Sequence, residues 1–286
     1  NGDFGAGLEL TGPAADSRAR DTLGSARIDG NVGSEDPDDP AVWDITGPIG
    51  TLAIGGNVNG WQLDLAEADL NALTLNRVAD AAVHVDDGDI GTVKAVEWLA
   101  GEITAKTLKS LQTSGDNKIP GVDGDFAASL TLAGPDPGAK PGLTLGSAKI
   151  AGDLGSAAAP VLWDVTGDTG TIDAAGGNVN NWTLATHSNV TTIKLGVVDN
   201  ANLTIGDEDA DGKRGDLGTL SALHWDSGHI VAGSIRSLST KSDARIPGAD
   251  GDFNARVTLT GPAADSKASL TLGTANSASD LGADDR

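Results

Sequence analysis

The chain repeats itself, and this self-similarity constrains its fold more than any other feature. GDFGAGLELTGPAADSRA from Gly2, GDFAASLTLAGPDPGAKP from Gly124 and GDFNARVTLTGPAADSKA from Gly251 lie 122 and 127 residues apart. The sequence therefore divides into super-repeats over 1–123 and 124–250 and a partial third over 251–286, read as one continuous body. Inside each copy a shorter unit recurs: an aliphatic residue, usually Gly, usually Ser or Thr, then an aliphatic. Its starts fall at 23, 49, 70, 90 and 108, then at 145, 169, 190, 217 and 235, with an eleventh at 272. Equal unit number in the same order, with length differences confined to Gly, Asp and Pro segments, is how solenoid coils with variable loops behave.

Short β-prone runs bounded by Gly, Asn and Asp read as strands and turns. Only Trp61 to Val78 offers a mild helical reading. The expected fold is all-β, a right-handed parallel β-helix of about ten coils, five to each super-repeat, with handedness taken from the crossover rule. At ~4.8 Å per coil this makes a rod roughly 50 Å long. With 40 glycines, 38% hydrophobic residues and 3% aromatics, the core must be small-residue and aliphatic. The aromatics occupy repeat-equivalent places: Phe4, Phe126 and Phe253, then Trp43/Trp163, Trp61/Trp182 and Trp98/Trp225. That placement predicts structural use, plugging coil ends or stacking beneath loops, with a repeated sugar-stacking surface as the alternative.

Cysteine is absent, which excludes disulfides, thiolate metal sites and cysteine nucleophiles. Methionine is absent too, even at position 1, so a mature or trimmed fragment is expected, with any signal peptide removed. No run approaches ~20 apolar residues, so membrane insertion is not expected. Net charge is -22, and 35 of the 41 acidic residues are Asp. Such a surface repels phosphate backbones, arguing against nucleic-acid binding, and attracts divalent cations.

The sharpest local motif is DEDADGKRGD, in which Asp207, Asp209 and Asp211 with Gly212 have the D-x-D-x-D-G spacing that wraps oxygen ligands around Ca2+. Asp216 stands in for the missing distal Glu. Both super-repeats also end in D-x-[KR]-I-P-G-x-D-G-D-F, which gathers Asp116, Asp123 and Asp125, then Asp243, Asp250 and Asp252. Aspartate-capped turns are the favoured reading there, with Ca2+ as the weaker case. His224 and His229 in HWDSGH, and Glu97 and Glu102 in EWLAGE, are ligating types without an evident third ligand, and read as exposed polar flanks of a turn. Asn57, Asn59, Asn178 and Asn180 are expected to support the turns into Trp61 and Trp182.

The [LIV]-G-[ST]-aliphatic starts, the GG-N-V-N turns and the GDF-x-A turns resemble those of the giant repetitive extracellular proteins of environmental bacteria. The resemblance implies a right-handed β-helix at or outside the cell surface. The expected function is structural: a stiff acidic rod segment of a surface fibre, surface layer or extracellular matrix, stabilised by Ca2+. It opens inside a repeat and closes partway into another, so the rod is expected to continue in a longer chain or to stack end to end with other copies. The alternatives are an adhesin for extracellular polysaccharide or a polysaccharide-processing β-helix enzyme. Catalytic residues are not expected, because the distinctive residues occur twice or more while catalytic sites are unique. Ice binding would need a Thr-x-Thr ladder at one coil position, which the sequence does not offer.

Overall fold

A short strand with one apolar face leaves both its backbone edges and that face unsatisfied, so each repeat must stack on its neighbours. The computed structural model describes residues 3–13, 19–34, 36, 39–136, 142–208, 212, 214–263 and 266–278, which form strands and turns without helix. Every strand pairing is parallel, and the pairings build three ladders. In the first, Leu23, Ile49, Leu70, Ile90, Leu108, Leu145, Thr169, Val190, Leu217, Ile235 and Leu272 follow one another in register. These are the residues that the sequence marks as unit starts. The second runs through Leu8, Trp43, Leu63, Val83, Ile103, Leu130, Trp163, Leu184, Leu203, Ile230 and Val257. The third links Phe4, Val32, Val58, Val78, Trp98, Phe126, Leu154, Val179, Val198, Trp225 and Phe253. The chain visits the third, second and first ladders in fixed cyclic order, which defines a three-faced parallel β-solenoid.

The segment with the helical reading is three strands, Trp61–Ala66, Leu70–Thr74 and Arg77–Val78. Its backbone groups pair with flanking strands: Trp61–Ala66 lies between Ala41–Thr46 and Ala81–Asp86. Burial there alternates with period two, and tertiary pairing overrides the weak local helical preference.

The tryptophans are interior rather than plugs at the ends, and all six are buried. Phe4, Trp43 and Trp61 form a chain of edge-to-face rings with centroids 5.4 Å apart at each step. Phe126, Trp163 and Trp182 repeat it at 5.7 and 5.4 Å. Trp43 and Trp163 each donate their indole N–H to a backbone carbonyl, of Ala6 and Ala128 respectively, both at 3.3 Å. Burial leaves no tryptophan face for stacking a sugar.

Corners demand unusual backbone. Gly101 and Gly228, equivalent in the two super-repeats, have φ of 110° and 127°, and a Cβ on either would overlap the backbone of the preceding layer at Ala81 or Ala201. At another corner Gly60 (φ 55°) is replaced by Asn181 (φ 47°), the side chain that best tolerates this region. Outside, the first ladder carries a stripe of small hydroxyls that includes Thr92, Ser110, Ser147, Thr171, Thr192, Thr219 and Ser237 in register.

Candidate functional site

The corner aspartates are first of all backbone caps. Asp3 Oδ1 accepts from the Asn31 amide at 3.0 Å, and Asn31 Oδ1 from the Asn57 amide at 2.8 Å. One super-repeat later Asp125 accepts from Asp153 at 2.8 Å and Asp153 from Asn178 at 2.6 Å. Asn59 donates to the Ser34 carbonyl at 3.1 Å, holding a turn as the sequence suggests. Each side chain thus ties one layer to the next. Burial, together with the charges of Asp153, Glu97 and Asp123, raises the Asp125 pKa above its ordinary 3.8, against the lowering pull of the Asp153 amide.

The two D-x-[KR]-I-P-G-x-D-G-D-F segments form the same turn. The Asp116 amide donates to Val122 O and the Asp243 amide to Ala249 O, both at 2.7 Å, while each Asp Oδ1 accepts from the amide two residues on, at 3.0 Å. Asp116 and Asp243 are thereby fixed as turn caps. The last two aspartates of the second turn meet a histidine: His224 Nδ1 lies 2.5 Å from Asp250 Oδ1, and Asp252 joins them, with the three ligating atoms all within 4.8 Å of one another. In the first super-repeat Glu97 takes the place of His224. It is not an exposed flank but a buried carboxylate, 1% exposed, because Arg77 of the preceding strand reaches it at 2.6 Å.

Of the Ca2+ loop residues, Asp209 and Asp211 lie outside the described residues. Asp207 pairs with His187 at 2.9 Å, and Asp216 accepts from Ser234 at 2.6 Å and from Ser266. A cleft of about 470 Å3 beside them is lined by His187, Asp207, Arg214, Asp216, Ser266 and Lys267.

His84 and His187 carry no motif in the sequence. Each is clamped at both ring nitrogens by carboxylates from adjacent layers: His84 by Asp64 and Glu102, His187 by Asp164 and Asp207, all at 2.9 Å. Two ionised carboxylates on one imidazole favour the form with two N–H donors, the imidazolium. Partial burial pulls both pKa values down, but the carboxylate hydrogen bonds and charges outweigh it, and both end above the ordinary 6.5. A raised folded-state pKa contributes stability that is fully present below the unfolded value and is lost as pH rises through the folded one. The melting temperature should therefore fall as pH rises from below the ordinary histidine value of 6.5 through the raised folded-state values, and the His84→Gln/His187→Gln variant should show a flatter profile over that rise. Identical profiles for the two proteins would remove the histidine clamps as the cause.

Fold and sites together define a three-faced parallel β-solenoid whose corners are organised by Asp, Asn and Gly. No protein-family model matches this chain, nor does any curated protein or solved structure.

Proposed function

We propose that the chain is a structural extracellular protein: a stiff, acidic, right-handed solenoid of about ten coils, serving as a rod segment of a bacterial surface fibre, surface layer or matrix. The observation that supports this reading is that all three ladders run through both super-repeats without interruption, with the repeated aromatics and corner aspartates engaged in layer-to-layer contacts. A rod needs stiffness along one axis, and stacked parallel layers provide it. Net charge of -22 limits sideways association until a divalent cation such as Ca2+ bridges neighbouring rods, and parallel layers of this kind can stack on further layers of a longer chain or of another copy.

Small-angle scattering and electron microscopy of the protein, with EDTA and with millimolar Ca2+, test this reading. The expected result is a particle roughly 50 Å long that lengthens end to end, with a higher melting temperature in Ca2+. A compact, strictly monomeric particle indifferent to Ca2+ would refute it.

A further inference from the structure

We propose that His224, Asp250 and Asp252 form a binding site for one divalent transition-metal ion of the Zn2+ class, a function separate from the Ca2+ response of the acidic surface. The argument begins with geometry. Asp252 sits in the layer next to His224, because Trp225 and Phe253 are bridged directly. Asp250 is offered by the adjoining tight turn, where its Oδ1 also accepts from the Asp252 amide at 3.2 Å, and Gly251 at φ 92° turns the chain between the two carboxylates. Two ligands thus come from a turn fixed by its own hydrogen bonds, and the third from a strand. Atoms bound to tetrahedral Zn2+ at ~2.0–2.2 Å lie about 3.3–3.6 Å apart, so the observed spread, from the 2.5 Å His224–Asp250 contact to a limit of 4.8 Å, is brought to that spacing by side-chain shifts of about an ångström.

The two super-repeats provide an internal comparison. The places of His224, Asp250 and Asp252 are held in the first copy by Glu97, Asp123 and Asp125, and there a protein cation, Arg77, pairs with Glu97. In the second copy the register partner of His224 is Val197, where the first has Arg77. Guanidinium and carboxylate have both gone, and in their stead stands an imidazole directed at a carboxylate. One substitution removes the built-in cation and the other adds a nitrogen ligand. The His224 side chain is only 14% exposed while Asp250 is 58% exposed, which leaves a half-sheltered site with an open side for water ligands.

The ligand chemistry selects the ion. Ca2+ prefers six to eight oxygen ligands, whereas one imidazole nitrogen with two carboxylates suits zinc-like ions. Metal binding needs an unprotonated Nδ1, so any proton on that nitrogen leaves for solvent and the metal takes its place between nitrogen and oxygen.

Titration calorimetry of the whole chain with Zn2+ near neutral pH tests this, with excess Ca2+ in a second arm. One saturable site is expected, unaffected by Ca2+ and weakened at least roughly tenfold in His224→Gln and in Asp252→Asn. The double variant Val197→Arg/His224→Glu rebuilds the ion pair of the first super-repeat, so it should stay folded by circular dichroism and lose the site. Unsaturable binding, displacement of Zn2+ by Ca2+, or undiminished affinity in the double variant would each overturn the proposal.

Discussion

Trp163→Ala should lower stability by about 3–5 kcal/mol, among the largest effects of any single truncation in this chain. Trp163 is fully buried, and its ring is gripped edge-on by Phe126 from one side at 5.7 Å and by Trp182 from the other at 5.4 Å. Removing it deletes a large transfer contribution and two ring contacts, and leaves a void that aliphatic neighbours on paired strands cannot close, because ladder hydrogen bonds fix their spacing. The contacts are nearest-neighbour ones, so the damage is local in structure yet uncouples the layers on either side. Urea unfolding followed by circular dichroism should show a lower midpoint and, where the halves separate, a broader transition. Trp43→Ala removes the equivalent ring between Phe4 and Trp61, but Phe4 is only partly buried, so a smaller loss is expected there. A change below about 1 kcal/mol for Trp163→Ala would mean that the ring is not packed as described.

What was legible in the sequence follows from how each feature is encoded. The eleven unit starts are legible because ten of them place an aliphatic side chain, and Thr169 a buried threonine, at the same station of one ladder, which faces the core in every layer except those of Leu23 and Leu272 at the two ends. The other two ladders were harder to read. The third is mostly single residues or two-residue strands, such as Val32–Gly33 and Val58–Asn59, too short to give a periodic signal. The turn aspartates Asp116 and Asp243 were legible because their caps act locally, on amides two residues away. The clamps on His84 and His187 were not, since their partners lie 18 to 23 residues off on other layers, a distance at which the variable loops blur register. Glu97 reads as an exposed flank for the same reason: its partner Arg77 lies 20 residues earlier, on another layer. The hydroxyl stripe on the first ladder was half visible, as the Ser or Thr of the unit, but its alignment into one line requires the register.

The Arg77–Glu97 pair carries the other large effect, and it should be asymmetric. Arg77→Val leaves the Glu97 carboxylate, whose side chain is 2% exposed, without its cation and beside Asp125, whose carboxyl is already raised partly by the charge of Glu97. Breaking a buried pair from this side costs about 3–5 kcal/mol, because the stranded charge can neither reach water nor find another donor. Glu97→Gln strands only Arg77, whose side chain is 38% exposed and can turn to solvent, so a much smaller loss is expected. Arg77→Val/Glu97→Leu should recover most of the single-variant loss, since an apolar pair of similar volume needs no desolvated charge. Arg77→Val/Glu97→His reproduces the residues of the second super-repeat, Val197 and His224, and should be tolerated as that copy tolerates them. A double-mutant cycle read by denaturant unfolding measures the coupling directly. Equal, small losses for Arg77→Val and Glu97→Gln would show that the carboxylate is reached by water, and with it would fall the view that an internal cation is what the second super-repeat has exchanged for a ligand.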